Sequence, residues 1–480
     1  MRGVSRTTVA QSLDALRAVA DDLWDPCMGM SRLAPGVNPG VDLSALDLHP
    51  VRETALGAIL DLRDGRTDRA LTAIRSVLAH QRELCDEPWS GTFKLTAEEP
   101  PPPPDPVEWV HYDPNWRQFI GCTLACALEL HGPSLDSSIT SSMESAIGGA
   151  VHGEPAGRIP AWYTNPKLMH AWLTAWLGAR SGDAGLVTAG EAIGAEVVRR
   201  VERYGDVDEY SSPTYDGVDL FALALWQRFA PSPWFAEHGE RISRIVGARV
   251  ATLYHPGLAA ICGPYIRAYG ISLDRYVSLT GQFLVLAGAD ETRVLPPVLD
   301  AHTDHVHDLW FLPLFDELSS AVVPHLELRE VDTERRHEQR FGPVVATSNL
   351  DATCAMGAER GRVHEFARDQ YVPFSVHFDD GGTTRSLAVL LPESTATADC
   401  ELVAPREATI ALTGRADTTA MTLLAGEPPT IHGHVIELGR LRMELSSPPT
   451  DVTVRLASTG SLVELTWAQP RASAMVRLRR

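Results

Sequence analysis

The periodicity of the chain changes once, near Val323, and that change limits the folds open to it. Before it, apolar residues recur at helical spacing in long stretches ended by Gly, Pro or Asp-Gly. After it come short apolar runs in alternation, such as QYVPFSVHF, RSLAVLLPE, ATIALTG, HVIELGRLRMELSS and LVELTWAQ. Turn residues split these runs at ~8–12-residue spacing, the pattern of an antiparallel sandwich. The first part reads as roughly ten to twelve helices, mostly in hairpin pairs. Paired helices joined by short turns can close into a toroid with its cleft at one rim. The expected fold class is α+β and multidomain: an N-terminal α/α toroid over residues 1–322, a full or incomplete six-hairpin barrel, then an antiparallel β-sandwich over 323–480.

Composition narrows the partners. Asp and Glu outnumber Lys and Arg by 62 to 42, a net charge of −20 over 480 residues. Phosphate backbones need clustered cations, so nucleic acid is excluded as the main partner, while a local basic cleft for a small anion is not. No stretch approaches the ~18 consecutive apolar residues of a membrane span. The N-terminus has Arg2 and Arg6 but no continuous apolar run, so it does not read as a signal peptide. The seven scattered cysteines read as reduced thiols, and the expected compartment is the cytoplasm. Cys122 and Cys126, four apart in an apolar helix, read as core thiols. There is no GxGxxG or Walker sequence, and no cofactor is expected. His302, His305 and His307 have no spacing that gathers them on one face. His432 and His434, flanking Gly433, would share a strand face, but two ligands do not close a zinc site, so no metal is expected.

The stretch GDVDEYSSPTYDGVDLFALALWQR, Gly205 to Arg228, holds the sharpest chemistry. It passes from a polar loop into an apolar helix. Pro213 fixes its own φ and biases Ser212 away from helix, so Tyr215 falls where loop becomes helix. A phenol at a helix N-terminus feels the positive end of the dipole, which favours its anion, and a tyrosinate can serve as a general base. Three other junctions share the composition: WVHYDPNW with His111 and Trp116, PAWYTNPKLMH with Trp162, Asn165 and His170, and GPYIRAYG with Tyr265, Arg267 and Tyr269. In a toroid such junctions would face one cleft. Trp116, Trp162, Tyr265 and Tyr269 would then offer flat apolar faces to a ring-bearing ligand. Thr164 or Asn165 reads as a helix N-cap, with Pro166 at the first helical position.

YTNPKLMHAWL and EYSSPTYDGVDLFAL resemble the Asn-bearing and Tyr-bearing elements of the heparinase II/III and alginate-lyase group of polysaccharide lyases. The resemblance implies a carbon–oxygen lyase acting by β-elimination on a uronate-containing oligosaccharide or an acidic small molecule. It implies Tyr215 as acid/base and Asn165 as the group that neutralises the carboxylate. Apart from the resemblance, Arg267 is expected as a bidentate carboxylate clamp, with His170 or His111 as assistants. His170 lies five residues after Asn165 and so on another side of the helix, where that group often has an adjacent pair. Glu209 joins the substrate-binding candidates. The alternatives are an inverting glycoside hydrolase drawing on Asp113, Glu209, Asp216 or Asp219, and a carbohydrate-binding scaffold without catalysis.

Overall fold

The structure, a computed structural model, describes residues 9–34, 47–296, 304–362, 370–457 and 460–479. Its helices are α1 (Ala10–Asp22), α2 (Val51–Arg63), α3 (Thr67–Ala79), α4 (Trp116–His131), α5 (Ser137–His152), α6 (Thr164–Ser181), α7 (Ala184–Tyr204), α8 (Tyr215–Arg228), α9 (Pro233–Leu253), α10 (Leu279–Leu286), α11 (Glu291–Val294) and α12 (Leu312–Leu318). Two short ribbons pair β1 (Trp24–Asp25) with β2 (Met30–Ser31) and β3 (Tyr254–His255) with β4 (Ala260–Ile261). The remaining strands are β5 (Arg335–Phe341), β6 (Val344–Asp351), β7 (Cys354–Arg360), β8 (Phe374–Asp379), β9 (Thr384–Leu390), β10 (Thr395–Ala404), β11 (Glu407–Gly414), β12 (Thr419–Ala425), β13 (Thr430–His432), β14 (Val435–Leu438), β15 (Leu441–Leu445), β16 (Asp451–Ala457), β17 (Gly460–Trp467) and β18 (Arg471–Leu478).

The chain divides into two compact units that are each discontinuous: residues 1–207, 218–244 and 305–324, and residues 208–217, 245–304 and 325–480. The first unit is helical. α2 packs on α4 and α4 on α6. α6 meets α8 where the Trp226 indole donates to the Leu168 carbonyl at 3.0 Å. α8 meets the last helices through Phe221 against Phe311 and Phe315, and α12 returns to α2. These inner helices close a ring, and α3, α5 and α7 pair with them from outside. Hydrophobicity sorts the two layers. α2, α4, α6 and α8 are buried almost all round, whereas α3 and α7 bury only one stripe, as a two-layer arrangement requires.

The second unit holds the sheets. One has eight strands in the order β16-β17-β12-β9-β8-β7-β6-β5, the other six in the order β10-β11-β18-β15-β14-β13. Every neighbouring pair in both is antiparallel. Met356, Phe374, Val376, Leu387, Leu423 and Leu465 of the first face Cys400, Ile410, Leu412, Met443 and Val476 of the second in one buried core. The fold is thus the helical toroid and antiparallel β-sandwich expected from the periodicity. Regular helix ends with the turn at Val323–His325, and strands begin at Arg335.

Local details differ. α6 begins at Thr164 with Tyr163 in the capping position and no side-chain cap, so neither Thr164 nor Asn165 caps it. Pro166 stands in its first turn, where amides have no intrahelical acceptor and a missing one leaves nothing unsatisfied. His432 ends β13 and His434 sits in the turn, because Gly433 at φ 60° starts a two-residue hairpin with His432 opposite Val435. The two imidazoles therefore share no strand face. His302 lies outside the described residues. All seven cysteines are free thiols. Cys27 and Cys85 are exposed, and the others are buried. Among the described residues no helix is long and apolar enough to cross a membrane.

Candidate active site

The loop before α8 is fastened by hydroxyls. Ser212 Oγ accepts the Tyr215 N–H at 2.8 Å and donates to the Arg267 carbonyl. Ser211 Oγ donates to the Cys262 carbonyl at 3.2 Å. On the other side, Thr280 Oγ1 donates to the Ser212 carbonyl at 2.9 Å and accepts the Gly217 N–H at 2.8 Å. Ser278 Oγ donates to the Pro213 carbonyl, and Thr214 bonds Tyr276. Ser212 caps α8 as a short polar side chain should at a helix start. Asp216 completes the cap by accepting the Ser212 N–H at 3.0 Å while pairing with Arg249 at 2.7 Å.

Arg267 is delivered by a segment laid on the sheet. Tyr265 and Val372 exchange backbone hydrogen bonds of 3.0 and 2.9 Å, the Ala268 N–H reaches the Gln370 carbonyl at 2.7 Å, and Ile266 is buried in the sandwich core. A close backbone approach makes this possible. A Cβ on Gly357 would lie 1.7 Å from the Gly263 carbonyl oxygen, so β7 needs a glycine there.

These two supports bring four of the candidate residues together. The Arg267 guanidinium donates to Glu209 at 2.6 Å, to Tyr215 OH at 2.8 Å and to Gln370 Oε1 at 2.9 Å. It also lies over the Tyr215 ring, 3.7 Å from the centroid. Arg267 is 6% exposed and Glu209 fully buried, so the pair compensates two charges in a dry place. Guanidinium only donates. The Tyr215 oxygen therefore accepts from Arg267, and its own proton points to Tyr269 OH, 2.8 Å away. Tyr269 is 40% exposed and is the solvent end of this chain. Tyr265, in contrast, is fully buried, with its hydroxyl bound to the Ile261 carbonyl and its pKa raised by burial. It is a core residue and presents no face to a ligand.

The other candidates lie in the helical unit. Asn165 is buried at the second position of α6. The Trp162 and Tyr163 rings, 6.2 Å apart, precede it. Tyr163 OH accepts from Asn115 at 2.8 Å, Asn115 Oδ1 accepts from Arg158 at 3.2 Å, and Arg158 grips Glu154 at 2.5 and 3.0 Å. This half-buried ladder, invisible in the sequence, braces the start of α6. Burial lowers the His170 pKa to about 4, so the imidazole is neutral near pH 7, and its Nδ1 has no hydrogen-bond partner among the described residues. His111 Nδ1 accepts the Val107 N–H at 2.9 Å and ties its own loop. Trp116 carries the Arg52 guanidinium 4.8 Å over its ring. Nearby, burial raises the Asp113 carboxyl to about 6.

Among the described residues one group, Asp25, Asp47 and His49, brings possible metal-ligand atoms within 4.8 Å of one another. Arg32 already pairs with Asp25 and, at 3.0 Å, with Asp47, so an arginine supplies the positive charge there.

Residues 42–320 match the family described as "Domain of unknown function (DUF8769)". No curated protein matches the chain. Among solved structures it is similar to heparinase III, at 10% identity over 88% of this chain and 76% of that one, with a TM-score of 0.43. It is similar to the chondroitin AC lyase of Streptomyces coelicolor A3, crystallised with chondroitin sulphate, at 12% identity over 98% and 79%, TM-score 0.39. It is also similar to the endoglucanase CelQ of Clostridium thermocellum, at 10% identity over 90% and 83%, TM-score 0.31. Polysaccharide lyases, the group that the sequence resembles, are thus among these structures.

Proposed function

The chain belongs to the family of the Domain of unknown function (DUF8769), and we propose that it is a carbohydrate-active carbon–oxygen lyase. The substrate class is a uronate-containing oligosaccharide or an acidic small molecule. The observation that carries the reading is the buried Glu209–Arg267–Tyr215 network with its outlet at Tyr269. β-Elimination needs a base for the proton α to the carboxylate and an acid for the departing oxygen. Tyr215 supplies both in turn. As phenolate it takes the C5 proton, the C–H electrons form the C4–C5 double bond, and the C4–O bond breaks. The phenol then returns the proton to the leaving oxygen. A cationic donor at 2.8 Å stabilises the phenolate formed without waiting for solvent to reorganise. Glu209 holds that donor in place. Asn165 is proposed, on the resemblance, as the amide that neutralises the uronate carboxylate.

The test is turnover of uronate oligosaccharides followed by ultraviolet absorbance of the unsaturated product. Tyr215→Phe should lower kcat by about 10²-fold or more, the usual worth of a positioned acid/base. Full activity in Tyr215→Phe would rule the role out. The second reading, an inverting glycoside hydrolase, is favoured by Asp113, whose raised pKa of about 6 suits a general acid. It predicts new reducing ends without ultraviolet absorbance and a collapse of rate in Asp113→Asn.

A further inference from the structure

Each of the two sheets ends in two edge strands, which expose unpaired backbone groups to other chains. Three of the four edges are blunted. β5 bristles with Arg335, Arg336, Glu338 and Arg340. β10 is broken by register shifts at Thr395/Thr397 and at Leu402/Ala404. β13 is only three residues long. β16 has only two charged residues, Asp451 and Arg455, no register shift, and seven residues. It pairs in unbroken register with β17 on one side only, and its side chains from Asp451 to Leu456 are all exposed. Among them are Val452, Val454 and Leu456, at 39%, 53% and 83% exposure. Alternation puts these three on one face of the strand, and Asp451, Thr453 and Arg455 on the other.

We propose that a second copy of this chain occupies that edge, pairing β16 with β16 antiparallel about a two-fold axis. The sequence of the strand is self-complementary in one such arrangement. A two-fold pairing that keeps apolar opposite apolar must be centred on a residue, since a shift by one would set the two faces against each other. Centred on Val454, it places Val454 opposite the partner's Val454 and Val452 opposite the partner's Leu456, covering all three exposed apolar side chains. On the opposite face Asp451 lies diagonal to the partner's Arg455, within reach of a long side chain, and the contact occurs twice. Among the described residues Arg455 has only a loose tie at home, to Glu464 at 3.5 Å, and its side chain is 65% exposed. An isologous pairing of this kind closes after two copies and removes both open edges.

Sedimentation of the full chain over a concentration series tests this. The expected result is a monomer–dimer equilibrium, with Val454→Lys raising the dissociation constant at least about tenfold by placing two ammonium groups opposite each other. Hydrogen exchange on the same samples should show the amides of residues 451–456 gaining protection as the dimer forms. A chain that stays monomeric to about 1 mM overturns the proposal. So does a dimer indifferent to Val454→Lys, or one that forms while the β16 amides exchange as freely as before.

Discussion

At Tyr215 one oxygen both accepts from a guanidinium and donates to a second phenol, and the direction of that proton is set by Arg267, which has none of its acceptors to offer. The consequence can be measured without knowing the substrate. Glu209→Gln keeps the shape but removes the buried charge that pairs with Arg267. It should cost several kcal/mol of stability, about 3 or more, read from urea unfolding. Asp113 makes a different residue-level prediction. Its folded pKa of about 6 lies above the ordinary carboxyl value of 3.8 because burial opposes its charge. The unfolded chain therefore loses this proton first, and the stability that the protonated form contributes is present below pH ~4 and is lost as pH rises through ~6. Asp113→Asn should remove that loss, gaining roughly 2 kcal/mol at pH 7 relative to pH 4 when compared with the parent chain. An unchanged difference between the two pH values would contradict the assignment.

Among the elements, the two glycines of contrasting surroundings give the sharpest comparison. On Gly357 a methyl group would run into the Gly263 backbone, whereas on Gly148, inside α5, it would meet nothing within 4 Å. Gly357→Ala should destabilise by about 3 kcal/mol or more and displace the segment that carries Arg267. Gly148→Ala should stabilise by up to about 1 kcal/mol, since a helix interior favours alanine. Denaturation midpoints of the two variants check both signs. These elements also mark how far the sequence could be read. Pro213 and the apolar run after it place the start of α8 at Tyr215, because a proline and a helical period are local signals. The alternation after Val323 likewise announces strands. Nothing local says that Glu209 will meet Arg267, that Gln370 will hold the same guanidinium, or that Ser278 and Thr280 will pin the loop, since each is a contact between distant stretches of chain. Tyr265 misled for the same reason. Its Gly- and Tyr-rich surroundings suggest a binding loop, and only the sheet beneath it shows that the ring is core.

Across the whole molecule, imidazoles kept neutral by burial set the acid limit: His131, His255 and His307 are lowered in the same direction as His170 and His377. Burial lowers His170 and His377 to about 4, in the helical and the sheet unit respectively. Both are depressed below the ordinary histidine value, so the unfolded chain takes up protons that the folded one refuses. Stability should fall as pH drops from ~6.5 towards ~4, by up to roughly 3 kcal/mol for each ring. His377→Gln, whose amide can still donate to the Ile271 carbonyl that Nε2 now contacts at 3.0 Å, should flatten the acid limb of a thermal-melt profile. A profile of the same slope would overturn that account. The distribution of thiols carries a practical consequence. Cys27 and Cys85 alone are exposed, and both belong to the helical unit, while burial keeps the remaining five protonated and sheltered. A maleimide fluorophore added to the native chain should therefore stop at two equivalents and illuminate the toroid while leaving the sandwich dark. A third equivalent appearing with time would then clock the opening of a core.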